Sequence, residues 1–159
     1  MQIGIIVESY WGNTAQIAEA IAAGARGAGA QTVAWSAADV PARIPDLDLL
    51  LVGAPTHSMK LPSRSSRRTA GRRGVHVPDS GVREWIDSAD ISSLPMVITF
   101  DTRVSPHSGS AAKDAAKRLT RAGGRVEQGE GFFIAGEPPV LKDGEAERAE
   151  QWGSRLVER

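Results

Sequence analysis

The sequence predicts a doubly wound α/β domain built around a parallel sheet, and three observations carry that reading. Five short apolar runs alternate with stretches of helical periodicity along the chain. The runs lack the apolar–polar alternation of a sheet wetted on one face, which fits strands covered on both faces. The 159 residues are one domain's worth, with no linker, internal repeat or low-complexity tail, so a single domain over 1–159 is expected.

The first strand is read over Ile3–Val7, and Ile17, Ala18, Ile21 and Ala25 then share one face of a helix. The glycine-rich stretch Gly24–Gly29 ends that helix. Thr32–Trp35 and Leu49–Val52 supply the second and third strands. Lys60–Arg73 holds six basic residues and no acid, and reads as a short solvated helix and loop capped by Ser63 or Ser65. Val82, Trp85 and Ile86 mark a further helix before the fourth strand, Met96–Phe100. Gly109–Ala122 is an alanine-rich helix with Ala112, Ala115, Ala116 and Leu119 in one stripe, stopped by Gly123-Gly124. Phe132–Ala135 is the fifth strand, and Ala149, Trp152 and Leu156 mark the last helix.

Composition removes whole classes of function. The formal net charge of +0 gives no overall electrostatic case for nucleic acid or an anionic membrane. The absence of cysteine excludes disulfides, thiolate metal sites and thiol catalysis. Met1 leads into a strand with no basic segment before it, and no apolar run approaches the roughly 18 residues of a membrane span. A cytoplasmic location is expected.

In a doubly wound sheet, ligands bind outside the carboxyl ends of the strands, so the informative loops are Ser9–Thr14, Ala54–Pro62 and Asp101–Ser108. The first lies in ESYWGNTAQIAEAI. Ser9 and Thr14 offer hydroxyls, Asn13 an amide, and Gly12 lets the backbone come close. The helix behind them presents unpaired N–H groups and the positive end of its dipole, the makings of a phosphate site. No Lys or Arg occurs before Arg26, so neutral donors would hold the anion; the P-loop lysine and the GxGxxG fingerprint are both missing. An ordinary Ser/Asn helix cap is the plain alternative.

ESYWGNTAQIAEAI resembles the phosphate-binding loop of the flavodoxins, a Ser/Thr-rich turn ending in Gly-Asn-Thr. LLLVGAPTHSMKLP resembles their second flavin-binding loop, and ITFDTRV followed by SGSAAKDAAKRL the third. The three occur in flavodoxin order and spacing and span essentially the whole chain. The resemblance implies a five-stranded flavodoxin-like sheet of order 2-1-3-4-5 with helices on both faces, holding FMN. It carries Ser9, Tyr10, Trp11, Gly12, Asn13 and Thr14 to the phosphate. Pro55, Thr56, His57 and Ser58 go to the ring near N5, and Asp101, Thr102 and Arg103 to its other side.

Departures from the pattern are equally specific. Trp11 stands where many flavodoxins carry another hydroxyl, and the aromatic pair that sandwiches the flavin is not evident. The only tyrosine is Tyr10, and His57 and His107 are the nearest planar substitutes on the other loops. His57 is a candidate proton-linked neighbour of the flavin because imidazole titrates near neutrality. His57, His107 and Asp101 are too scattered in sequence to argue for a metal, and none is expected; His76, between two valines, reads as structural. A phosphoryl-accepting receiver domain is set aside, since Gly53-Ala54-Pro55 ends strand three without an Asp and only Glu8 follows strand one.

The implied function is electron transfer by an FMN-bound carrier. The alternative is a small FMN-dependent NAD(P)H:quinone or protoporphyrinogen-type oxidoreductase, and a third possibility is a domain that has lost its flavin. Flavodoxin carriers tend to be strongly acidic, whereas this chain is neutral with a basic segment. Lys60–Arg73 is therefore a candidate surface for a negatively charged redox partner protein or for the 2′-phosphate of NADPH.

Overall fold

Six strands and five α-helices follow one another in a computed structural model that describes residues Met1–Arg159. The strands are β1 (Gln2–Val7), β2 (Gln31–Ser36), β3 (Leu49–Pro55), β4 (Met96–Arg103), β5 (Val126–Ala135) and β6 (Val140–Leu141). The helices are α1 (Asn13–Gly27), α2 (Arg64–Arg72), α3 (Val82–Ser88), α4 (Ala111–Arg121) and α5 (Glu145–Val157). The sheet order is β2-β1-β3-β4-β5-β6, parallel throughout except for the antiparallel β5–β6 pair. This is the expected 2-1-3-4-5 arrangement extended by one short edge strand.

Successive strand residues point to opposite faces, and both faces are covered. Leu49, Leu51, Ile3, Ile5, Ile98 and Phe100 pack under α1 and α5. Leu50, Val52, Ile6 and Val97 pack on the other side, against α3 and α4. Two buried layers on either side of one strand are why β3 reads as an unbroken apolar run. In the first layer Trp152 sets its ring 6.3 Å from Phe100 and 6.1 Å from Phe132.

Helices α1 and α5 touch backbone to backbone through a glycine on each. A Cβ on Gly24 would lie 1.8 Å from the carbonyl oxygen of Glu150, and one on Gly153 would lie 2.1 Å from that of Ile21. Ser154 completes the seam by donating its hydroxyl to Gly24 O at 3.0 Å.

Several boundaries differ from those read in the sequence. β5 starts at Val126 because its polar first half, Val-Glu-Gln-Gly-Glu-Gly, is held by ladder pairing with β4 and not by burial. Neither β2 nor β5 is covered on both faces, because each lies toward an edge of the sheet. β3 and β4 run further than expected, which puts Ala54, Pro55, Asp101, Thr102 and Arg103 on strand ends instead of loops. The basic segment forms α2, capped by Ser63, whose hydroxyl accepts from Ser66 N. No helix is long and apolar enough to cross a membrane.

Candidate cofactor site

At the carboxyl edge of the sheet the first loop turns through Gly12, whose φ of 87° is the left-handed region that glycine enters without steric cost. Ser9 caps the helix, its hydroxyl accepting from Ala15 N at 3.2 Å. The N–H groups of Trp11, Gly12, Asn13 and Thr14 make no hydrogen bond within the protein. In front of them the space is open: a Cβ on Gly12 would meet no heavy atom within 4 Å. Four consecutive free donors at a helix start, around a left-handed residue, form an anion cradle.

The side chains assigned to the phosphate brace this backbone rather than line its mouth. Thr14 is buried, with its hydroxyl 2.9 Å from that of Thr102. The Asn13 amide donates to Pro139 O at 2.9 Å, drawing the β5–β6 hairpin over the loop. Trp11 packs beneath the Arg73 guanidinium, 5.1 Å from its ring centroid, and Arg73 pairs with Glu137 of the same hairpin. A cation therefore stands beside a loop whose own sequence has none. The stretch before Arg26, which has no Lys or Arg, concealed it, because Arg73 arrives from the end of α2.

Tyr10 does not face the mouth either. Its hydroxyl donates to Glu8 Oε2, and its ring lies 5.4 Å from that of His57 at a 40° tilt. Glu8 is 2 % exposed and also accepts from Val82 N at 2.8 Å. Arg67, likewise 2 % exposed, places Nη1 3.5 Å from Glu8 and Nη2 2.7 Å from Glu84. Burial lifts the Glu8 carboxyl above its usual range despite these partners. Burial, and then Glu8, push the Tyr10 phenol far up, so it stays a donor. This Glu8–Tyr10–Arg67–Glu84 group, with Glu8 and Arg67 buried at its centre, was not legible in the sequence, where Arg67 counted among solvated arginines.

The second loop is a tight turn. His57 and Lys60 exchange backbone hydrogen bonds of 2.9 and 3.0 Å across Ser58 and Met59. Both central residues have positive φ, 48° and 73°, the geometry of a type I′ turn, which non-glycine residues enter only at some cost. The surroundings hold it: Ser110 N donates to Met59 O at 3.2 Å, tying the turn to the third loop. His57 Nδ1 lies 3.1 Å from Ser66 Oγ of α2. Burial, helped by the Arg67 charge, lowers the His57 pKa from 6.5 to about 4, so the imidazole is neutral at neutral pH.

That shift has a thermodynamic sign. Between pH 6.5 and about 4 the folded protein binds fewer protons at His57 than the unfolded chain, so its stabilisation is present above 6.5 and lost on acidification. His57→Gln should flatten the decline in urea midpoint over that window. A difference between the two proteins that does not change with pH would mean a solvated His57.

In the third loop Asp101 is fully buried and accepts from Ser110 Oγ at 2.6 Å, Ala112 N at 3.0 Å and Arg103 Nε at 2.8 Å, so it holds the start of α4. Thr56 accepts from Ala111 N at 3.0 Å in the same way. His107 is exposed on a Ser105–Ser108 turn, and no group of three metal-ligating side chains gathers anywhere. Around the mouth the exposed apolar side chains are Met59, Val104 and Val140, one from each neighbouring loop or hairpin.

No protein-family model matches the sequence, and no curated protein matches it significantly. Solved structures do resemble it. A flavodoxin from the domain Archaea superposes with a TM-score of 0.71 at 18% identity, covering 99% of this chain and 97% of that one. Flavodoxin 1 from Bacillus cereus gives 0.65 at 18% identity, covering 100% and 99%. The flavodiiron protein from Giardia intestinalis gives 0.67 at 17% identity, with 99% of this chain matching 35% of that larger one. Strand order, helix placement and full-length superposition agree: this chain has the flavodoxin-like fold.

Proposed function

We propose that the protein binds FMN at the carboxyl edge of its sheet and transfers electrons through it. The observation that carries the reading is the set of four unbonded N–H groups from Trp11 to Thr14, around left-handed Gly12 with open space at its Cβ position. This cradle fits a phosphate monoester, and the structural neighbours named as flavodoxins support a flavin as its owner. Met59 and Val104 would offer the ring apolar contacts, with His57 in place of one wall of the usual aromatic pair.

FMN, when bound, supplies one- and two-electron redox chemistry. The chain's own residues bind and orient. The Trp11–Thr14 backbone holds the phosphate, Arg73 adds positive charge beside it, and the hairpin through Pro139 screens the loop from water. His57 presents a neutral imidazole whose Nδ1 is engaged by Ser66, leaving Nε2 as its free polar atom. Electron transfer as a carrier is the favoured reading, because the chain has no insertion at this edge to enclose a second substrate. An arginine-lined cavity on α2 favours the alternative, an NAD(P)H-dependent oxidoreductase.

Titration with FMN and riboflavin, followed by flavin fluorescence, tests the assignment. Hydrogen bonds to a charged group contribute about 1.5–3 kcal/mol, so FMN should bind at least about tenfold more tightly than riboflavin. Equal affinities would remove the phosphate from the cradle and the reading with it.

A further inference from the structure

The six basic residues of Lys60–Arg73 divide into distinct sets. Arg67 is buried against Glu8 and Glu84, and Arg73 is taken by Trp11 and Glu137. Lys60 lies in the turn before α2, and Arg64, Arg68 and Arg72 remain, exposed and in no ion pair. Their four-residue spacing sets them on one face of α2, about 6 Å apart along the axis. Like charges at that spacing weaken a helix, so the arrangement costs stability.

That face forms one side of an open cavity of about 750 Å³, flanked by Val77, Pro78 and Asp79. Arg67 contributes to the floor with its charge already balanced. The volume lies within the roughly 300–1,000 Å³ of small-molecule sites. The wall offers an apolar surface from Val77 and Pro78 and one carboxylate from Asp79.

We propose that this cavity binds a small molecule of nucleotide size carrying at least two separated phosphate groups. Guanidinium groups are the side chains best suited to phosphate, through paired N–H donors. One phosphate can satisfy only neighbouring members of a row about 12 Å long, whereas two phosphates set apart on a sugar span it. Val77 and Pro78 give a base an apolar wall, and Asp79 accepts from a ribose hydroxyl. An acidic protein surface would meet the arginine tips but leave the concavity unfilled. This site is separate from the FMN cradle, and the inference stands without a bound flavin.

The test is calorimetric titration of the full chain with adenosine 2′,5′-bisphosphate and with AMP, in saturating FMN so that the two anion sites are read apart. A chain that takes up no flavin still answers it. The bisphosphate should bind at least about tenfold more tightly than AMP, with affinity falling as salt rises. Arg68→Gln should weaken it about tenfold or more with the thermal midpoint unchanged. Arg121→Gln, exposed at the end of α4, should leave it unaltered. Equal affinity for the two nucleotides, no binding at millimolar concentration, or an Arg68→Gln variant that binds normally would each overturn the proposal. So would saturable binding of a polyglutamate peptide that the bisphosphate does not displace, which would hand the groove to an acidic protein.

Discussion

Gly24→Ala is expected to destabilise the protein by about 3 kcal/mol or more, while Gly27→Ala, at the end of the same helix, stabilises it by about 0.5 kcal/mol. Helix propensity alone predicts a gain at both positions, of up to about 1 kcal/mol each. The difference lies in what the new methyl meets. At Gly27 no heavy atom lies within 4 Å, whereas at Gly24 the Glu150 carbonyl oxygen stands at 1.8 Å. That oxygen belongs to the α5 backbone and cannot swing aside, so α1 and α5 must separate and unpack Ile17, Ile21 and Trp152. Urea denaturation measures both variants, and unchanged m-values would assign the midpoint shifts to the folded state. A Gly24→Ala midpoint at or above that of the parent would mean the helices part without cost.

The second large effect belongs to Arg67. Arg67→Met should cost about 3–5 kcal/mol at neutral pH, because it strands the Glu8 carboxylate in the interior without a counter-charge. Burial already raises the folded pKa of Glu8 above 4.5, and losing Arg67 raises it further. In the window above 4.5 the folded protein then keeps a proton that the unfolded chain has released. Stability is therefore greatest below 4.5 and falls as pH rises through the window, so acidification should recover part of the loss. Combining Arg67→Met with Glu8→Gln should restore most of it at neutral pH, since the buried charge is gone and Glu84 is partly solvated. Denaturation midpoints at pH 5 and pH 7.5 separate these outcomes; equal losses at both would mean Glu8 is hydrated. The same variant should move the His57 pKa up from about 4, because the Arg67 charge helps hold it there.

The fold was legible wherever burial was two-sided. β1, β3 and β4 carry apolar runs, broken in β4 only by Thr99, because both of their faces are covered, and a run of that kind survives any uncertainty about neighbours. The first half of β5 has one such residue in six, Val126, and owes its conformation to hydrogen bonds with β4, which leave no trace in residue type. Two-residue β6 is below what any period can reveal. In the site, the Gly-Asn-Thr turn was readable because its chemistry is local: a left-handed glycine, a capping serine and a helix start lie within seven residues. Asp101 shows the opposite case. An aspartate at a strand end suits a ligand and suits the start of the next helix equally well, and only the position of Ser110 and Ala112 decides. Arg73 over Trp11, and Arg67 between Glu8 and Glu84, join segments that no local pattern connects.

Trp152 wedged against Phe100 and Phe132 has a consequence for synthesis. Helix α5 closes the core layer founded by β1 and α1, so that layer stays unfinished until α5 has been made. As the polypeptide leaves the ribosome, β1, β3 and β4 can assemble and α3 and α4 can shield one side. The other side keeps Ile3, Ile5, Leu51 and Phe100 only half sheltered beneath α1. That greasy flank is where a chaperone would grip the nascent protein, and release has to await the emergence of α5.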